Sequence, residues 1–140
     1  MNLNEWRDAV HENAVDHGWY EEPPSFPEVI ALCHSELSEA LEEYRDGKPQ
    51  IYFRCREVLD GGPSDNICNP ADEYDCLNFE VRETCKYRNP KPEGAAVELI
   101  DCLIRILDYC GHAGIDVEKT MSIKHEYNKT RPWKHGGKIV

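Results

Sequence analysis

The stretch that most limits how this chain can fold runs from Ala95 to Cys110, AAVELIDCLIRILDYC. It is long and apolar enough to be the most buried helix of a small domain. It nonetheless carries Glu98, Asp101, Arg105 and Asp108 at positions i, i+3, i+7 and i+10. At 3.6 residues per turn these four fall within roughly 80° of one another, and the remaining circumference is aliphatic, Cys and Tyr. Such a helix belongs in a core, and carboxylates do not enter cores unpaired. A cation, a metal ion or water held in a cleft must meet the stripe.

A second acidic stripe precedes it. Ser25, Pro27 and Glu28 form a capping-box signature, and the helix it opens is expected to run to about Asp46, before Gly47-Lys48-Pro49. Val29, Ile30, Leu32, Cys33, Leu37, Ala40, Leu41 and Tyr44 make up its apolar arc. Glu36 points into that arc and Glu39 lies on its edge, one turn further on. Glu42 and Glu43 are read as ordinary surface acids. An earlier helix is expected from about Asn4 to Gly18, followed by the connector Trp19-Tyr20-Glu21-Glu22-Pro23-Pro24. The helix from Ala95 should stop at Gly111 or Gly114. Asp116 then caps a last helix from Val117 to about Arg131, with Lys124, Tyr127, Asn128 and Arg131 on one face.

Residues 48–93 differ in kind. They contain two turn clusters and four of the seven cysteines, Cys55, Cys68, Cys76 and Cys85. Ile51 to Arg54 reads equally as a short strand or a helix start. A zinc ion held by the four thiolates would order such a loop, but no C-x-x-C knuckle is present, and apolar use of thiols is common. Cys33, Cys102 and Cys110 lie on apolar helix faces and are expected in the core.

Composition narrows the function classes. The net charge of −11 over 140 residues argues against a surface for a nucleic-acid polymer. The charge is uneven, because five Lys and one Arg follow residue 118 against the single acid Glu126. An acidic body with a basic end suits a small polyanion held between metal-loaded carboxylates and cations. Mean hydropathy is −0.69, no apolar run would span a bilayer, and Met1 to Arg7 lacks the pattern of a secretory signal. The expectation is a cytoplasmic protein with reduced thiols, one domain over residues 1–140 and no membrane partner.

Glu36-x-x-Glu39 and Glu98-x-x-Asp101 each set two carboxylates one turn apart. If the faces meet, four oxygen donors converge in apolar surroundings and raise one another's pKa. A hard divalent cation relieves that repulsion, and all-carboxylate ligation suits Mg²⁺ or Mn²⁺. Di-iron bundles need Glu-x-x-His, and neither pair here ends in His. Arg105 and Asp108 are then read as a helix-surface pair or an inter-subunit contact.

The joint pattern resembles the MazG-like nucleoside triphosphate pyrophosphohydrolases. Cys33 to Glu42 is similar to that family's second helix, Val97 to Asp116 to its third helix and turn, and Lys124 to Lys138 to its last helix and tail. The resemblance implies an all-α fold: a four-helix MazG-like bundle subunit with a cysteine-containing insertion at about 48–93. It implies hydrolysis of a (deoxy)nucleoside triphosphate to the monophosphate and pyrophosphate, in housekeeping of the nucleotide pool. Glu36, Glu39, Glu98 and Asp101 would be the metal-binding and catalytic acids, with Mg²⁺ as cofactor and Mn²⁺ as a substitute. Lys124, Asn128 and Arg131 would contact the triphosphate and Trp19 the base, in a homodimer or homotetramer. The family's two acid pairs are usually joined by a short connection, whereas here nearly sixty residues part Glu39 from Glu98. The alternative is a non-catalytic helical module that binds nucleotide or metal as a regulatory interaction protein.

Overall fold

The computed structural model describes residues 1–54 and 91–133. Over these the chain is predominantly helical. The helices are α1 (Leu3–Asp16), α2 (Phe26–Arg45), α3 (Ala95–His112) and α4 (Val117–Lys129). Two three-residue strands, β1 (Tyr52–Arg54) and β2 (Lys91–Glu93), complete the described elements. Chain contacts divide the molecule into two compact units, Met1–Val29 with Ile104–Val140, and Ile30–Leu103. Among the described residues no helix is long and apolar enough to cross a membrane.

In the first unit, helix ends are fastened by side chains that also tie one helix to another. Asn2 caps α1: its side chain accepts from the Glu5 N–H at 2.9 Å, and the Glu5 carboxylate accepts from the Asn2 N–H at 2.8 Å. Asn4 then reaches the start of α4, donating to Asp116 Oδ1 at 3.0 Å and accepting from the Val117 N–H at 2.9 Å. Asp116 also caps α4 through the Lys119 N–H at 3.0 Å, and these bonds hold its carboxyl below the usual range. Arg7 donates to the Ile115 carbonyl at 2.7 Å. Gly111, read in the sequence as a stop signal, lies inside α3. A Cβ there would come within 2.6 Å of His11 Cβ, so its role is to let α1 approach. The left-handed residue after the helix is Gly114, at φ +65°.

The second unit holds most of α2, both strands and the first half of α3. Of the segment Ile51 to Arg54 that the sequence left open, Tyr52–Arg54 is a strand. β1 pairs antiparallel with β2 in the register Tyr52↔Glu93, Phe53↔Pro92 and Arg54↔Lys91. Tyr52 is fully buried, with its hydroxyl 2.9 Å from Glu43 Oε2 and 3.1 Å from Glu93 Oε2. Lys48 pairs with Glu43 at 2.7 Å and Lys91 with Glu93 at 3.1 Å. Burial and the two carboxylates push the Tyr52 phenol up to about 12, so it stays a neutral donor. Glu43 is thus a half-buried member of this network rather than an ordinary surface acid. Gly94, at φ +115°, turns the chain into α3 where a Cβ would sit 2.5 Å from the Gln50 carbonyl oxygen. The same carbonyl accepts the Ala96 N–H at 3.0 Å. The expectations for Cys55, Cys68, Cys76 and Cys85, and for the basic tail from Lys134, lie outside the described residues.

The burial of α2 and α3 departs from the sequence reading. Only Val29, Cys33, Glu36 and Ala40 of α2 are buried, and only Glu98, Cys102 and Leu107 of α3. Ile30, Leu32, Leu37, Leu41 and Tyr44, expected on the buried arc, are exposed, as are Leu99, Ile100, Leu103, Ile104 and Ile106. Apolar residues covering most of a helix's circumference need neighbours on several sides, and each helix here buries only a narrow stripe.

Candidate metal centre

Burial in the second unit follows two stripes that include acids. On α2, Cys33, Glu36 and Ala40 recur at i, i+3 and i+7; on α3, Glu98 and Cys102 recur at i and i+4. Glu36 is 7% exposed and Glu98 9%, while Asp101 is half-buried. One carboxylate oxygen from each of these three lies within 4.8 Å of the others. Glu39, the fourth acid singled out in the sequence, stands outside the trio. It is exposed, and the Ser35 hydroxyl donates to its Oε1 at 3.3 Å.

Electrostatics ties all four together. The Glu98 carboxyl is pushed up to about 7, first by burial and then by the charges of Glu39, Asp101 and Glu36. Among the described residues, Lys91 acts on it in the opposite sense. Near neutral pH this group therefore holds a proton for much of the time, which lowers the repulsion among the crowded carboxylates. The trio supplies hard oxygen ligands with no nitrogen or sulfur, on two helices fixed within one unit. That donor set fits Mg²⁺ or Mn²⁺ and suits softer metals poorly.

The residues expected to bind substrate belong to the first unit. Lys124 and Asn128 line a cavity of about 430 Å³ whose walls include Cys110, Ile115, Val117 and Met121. The Lys124 ammonium sits 5.0 Å from the centre of the Tyr127 ring, a cation–π contact. Arg131 follows the end of α4 and is exposed, as is Trp19 in the connector after α1. Cys33 and Cys102 are buried, as expected for core thiols. Cys110 is half-buried at the cavity, and burial pushes its thiol up.

Asp108 has a different setting from the helix-surface pair expected for it. Its Oδ1 accepts from the Tyr20 hydroxyl at 2.9 Å and lies 2.9 Å from His11 Nδ1. The His11 and Tyr20 rings meet edge-on at 4.6 Å, and His112 lies 5.0 Å from Tyr20. Burial and Asp108 push the Tyr20 phenol well up, so it remains a donor. This cluster went unread because its members are far apart in the chain. The weak signal was Arg7 and His11, one turn apart on a helix whose apolar face is otherwise thin.

Comparison of the chain with models of known protein families, with curated proteins and with solved structures returned no match.

Proposed function

We propose that this protein is a MazG-like pyrophosphohydrolase that cleaves a (deoxy)nucleoside triphosphate to the monophosphate and pyrophosphate. The observation that carries the reading is the convergence of Glu36, Glu98 and Asp101 oxygens within 4.8 Å in buried surroundings, with the Glu98 pKa raised by its neighbours. Glu36, Glu98 and Asp101 would hold Mg²⁺ or Mn²⁺, with Glu39 at the rim. The metal, when bound, polarises the phosphate and lowers the pKa of an attacking water. The carboxylates orient that metal, and the apolar neighbours Cys33, Ala40 and Cys102 limit water around it. Water adds its oxygen to the α-phosphorus, the bond to the bridging oxygen breaks, and pyrophosphate leaves. The family resemblance alone assigns Lys124, Asn128 and Arg131 to the polyphosphate and Trp19 to the base.

The same reading makes the working form a homodimer or homotetramer. It is supported by the exposed apolar side chains of α2 and α3 among the described residues. The deciding experiment scores a panel of canonical and modified nucleoside triphosphates for pyrophosphate release with Mg²⁺ or Mn²⁺. Release from at least one is expected, and Glu98→Gln should abolish it while keeping the helical fold. Tight nucleotide binding without turnover by the metal-loaded protein would instead establish the non-catalytic module.

A further inference from the structure

Each acid of the converging trio has a large apolar neighbour that the fold leaves exposed. Leu37 follows Glu36, Leu99 follows Glu98 and Ile100 precedes Asp101, and all three are close to half exposed. On α2, Leu37, Leu41 and Tyr44 recur at i, i+4 and i+7, with Ile30 one heptad before Leu37. These four exposed residues share a stripe roughly 60° wide, centred about 110° around the axis from Glu36. On α3, the exposed Leu99 and Leu103 stand about 100° and 140° from Glu98, in the same rotational sense. Cys33 and Ala40 on α2, and Cys102 on α3, fill the buried arc between acid and stripe. Both helices thus repeat one order around their axes: buried acid, small buried residue, exposed large apolar residue. All of these residues belong to the unit Ile30–Leu103.

The stripes offer on the order of several hundred Å² of apolar surface, the scale of one partner's share of a stable interface, about 800 Å². A second copy fits them, because it presents the same stripes in return and a two-fold pairing lets one surface serve both sides. Each copy nonetheless carries a net charge of −11, so two copies repel as they close. Glu36, Glu98 and Asp101 each sit one residue from an exposed apolar side chain, well inside the ~8 Å over which charges act in physiological salt. A divalent ion held there cancels two charges beside the apolar contact. We propose that metal at the acid cluster and a second copy docked on the α2 and α3 stripes bind cooperatively, so that loading the metal drives assembly. The inference rests on the metal and homo-oligomer readings given above and goes beyond them by coupling the two.

Sedimentation velocity of the full-length protein over a concentration series, in chelator and in saturating Mn²⁺ at matched ionic strength, tests it. The self-dissociation constant should fall about tenfold or more with Mn²⁺, within the usual range of coupling between two sites. By reciprocity, free Mn²⁺ followed by electron paramagnetic resonance should show metal affinity rising by the same factor as the chains associate. Glu98→Gln should lose the shift. The double variant Leu37→Gln/Leu41→Gln, changed only at exposed positions and without change of charge, should stay monomeric and bind Mn²⁺ more weakly than the associated wild type. Equal self-dissociation constants with and without Mn²⁺ would overturn the proposal. A shift retained in Glu98→Gln would overturn it too, since the ion would then be screening charge in general. If the wild type is too tight to dissociate, the double variant decides: Mn²⁺ affinity equal to the wild type's, or association that persists, refutes the coupling. A wild type that stays monomeric with Mn²⁺ bound also refutes it, whatever covers the stripes instead. Mn²⁺ that binds without changing assembly sinks only the coupling, whereas Mn²⁺ that does not bind at all removes the metal reading as well.

Discussion

Glu98 concentrates the energetics of the site in one side chain. Its folded pKa of about 7 lies above the ordinary value of 4.5, so the native state binds the proton more tightly than the unfolded chain does. The sign follows: that contribution to stability is full below about 4.5 and is lost as the pH rises through 7. In metal-free protein, Glu98→Gln should therefore match the wild type in melting temperature near pH 4 and exceed it near pH 8. Added Mg²⁺ should reverse the order at pH 8, since metal stabilises only the intact ligand set. Melting curves with chelator and with Mg²⁺ give both comparisons, and equal curves at pH 8 in chelator would show that the acids are not strained. Metal affinity should also fall as the pH drops below 7, because the proton competes for the same oxygen.

At the scale of elements, α1 and α3 meet at a point where two opposing effects of known size can be compared. Alanine is favoured over glycine in a helix interior by about 1 kcal/mol, so propensity alone predicts that Gly111→Ala stabilises α3. The added Cβ would lie 2.6 Å from His11 Cβ and 3.3 Å from the Arg7 carbonyl oxygen. Neither atom is the free end of a flexible side chain, and overpacking of this kind costs about 1–3 kcal/mol. The clash should win. Urea unfolding of Gly111→Ala is expected to show a net loss of stability, and a gain would mean that the two helices separate readily. The Asp108 bonds to Tyr20 and His11 sit at this same contact, so the loss should extend to them.

At the scale of the whole molecule, the apolar side chains exposed among the described residues bear on the proposed homo-oligomer. Leu37 is 47% exposed and Ile100 53%, on helices whose buried stripes contain glutamates. A chain folding alone would gain more by turning those leucines and isoleucines inward. We expect sedimentation velocity to give a homodimer or homotetramer at micromolar concentration. Replacing Ile100 with Asp should shift it toward monomer, and a monomeric wild type would leave this apolar surface unexplained.

Much of the architecture was legible from local chemistry. The signals at Ser25, Asp116 and Gly114 act over one helical turn, so the starts of α2 and α4 and the end of α3 could be placed without knowing what they pack against. Glu36 could be assigned to the buried side of α2 because periodicity fixes angles around a helix axis. Periodicity could not say how much of the apolar arc would be covered, since that depends on how many neighbours the fold brings. It also could not say that Tyr52–Arg54 forms a strand, because its partner Lys91–Glu93 lies far along the chain. The same limit hid the His11–Tyr20–Asp108 cluster and the sealing of Tyr52 between Glu43 and Glu93. Sequence by itself determined the helices, their caps and the two acid pairs, all set by interactions within a few residues. Tertiary structure alone decided that Glu36, Glu98 and Asp101 converge while Glu39 stays outside, because that convergence depends on how α2 and α3 are placed. Their side-chain oxygens meet over a distance that no local spacing encodes.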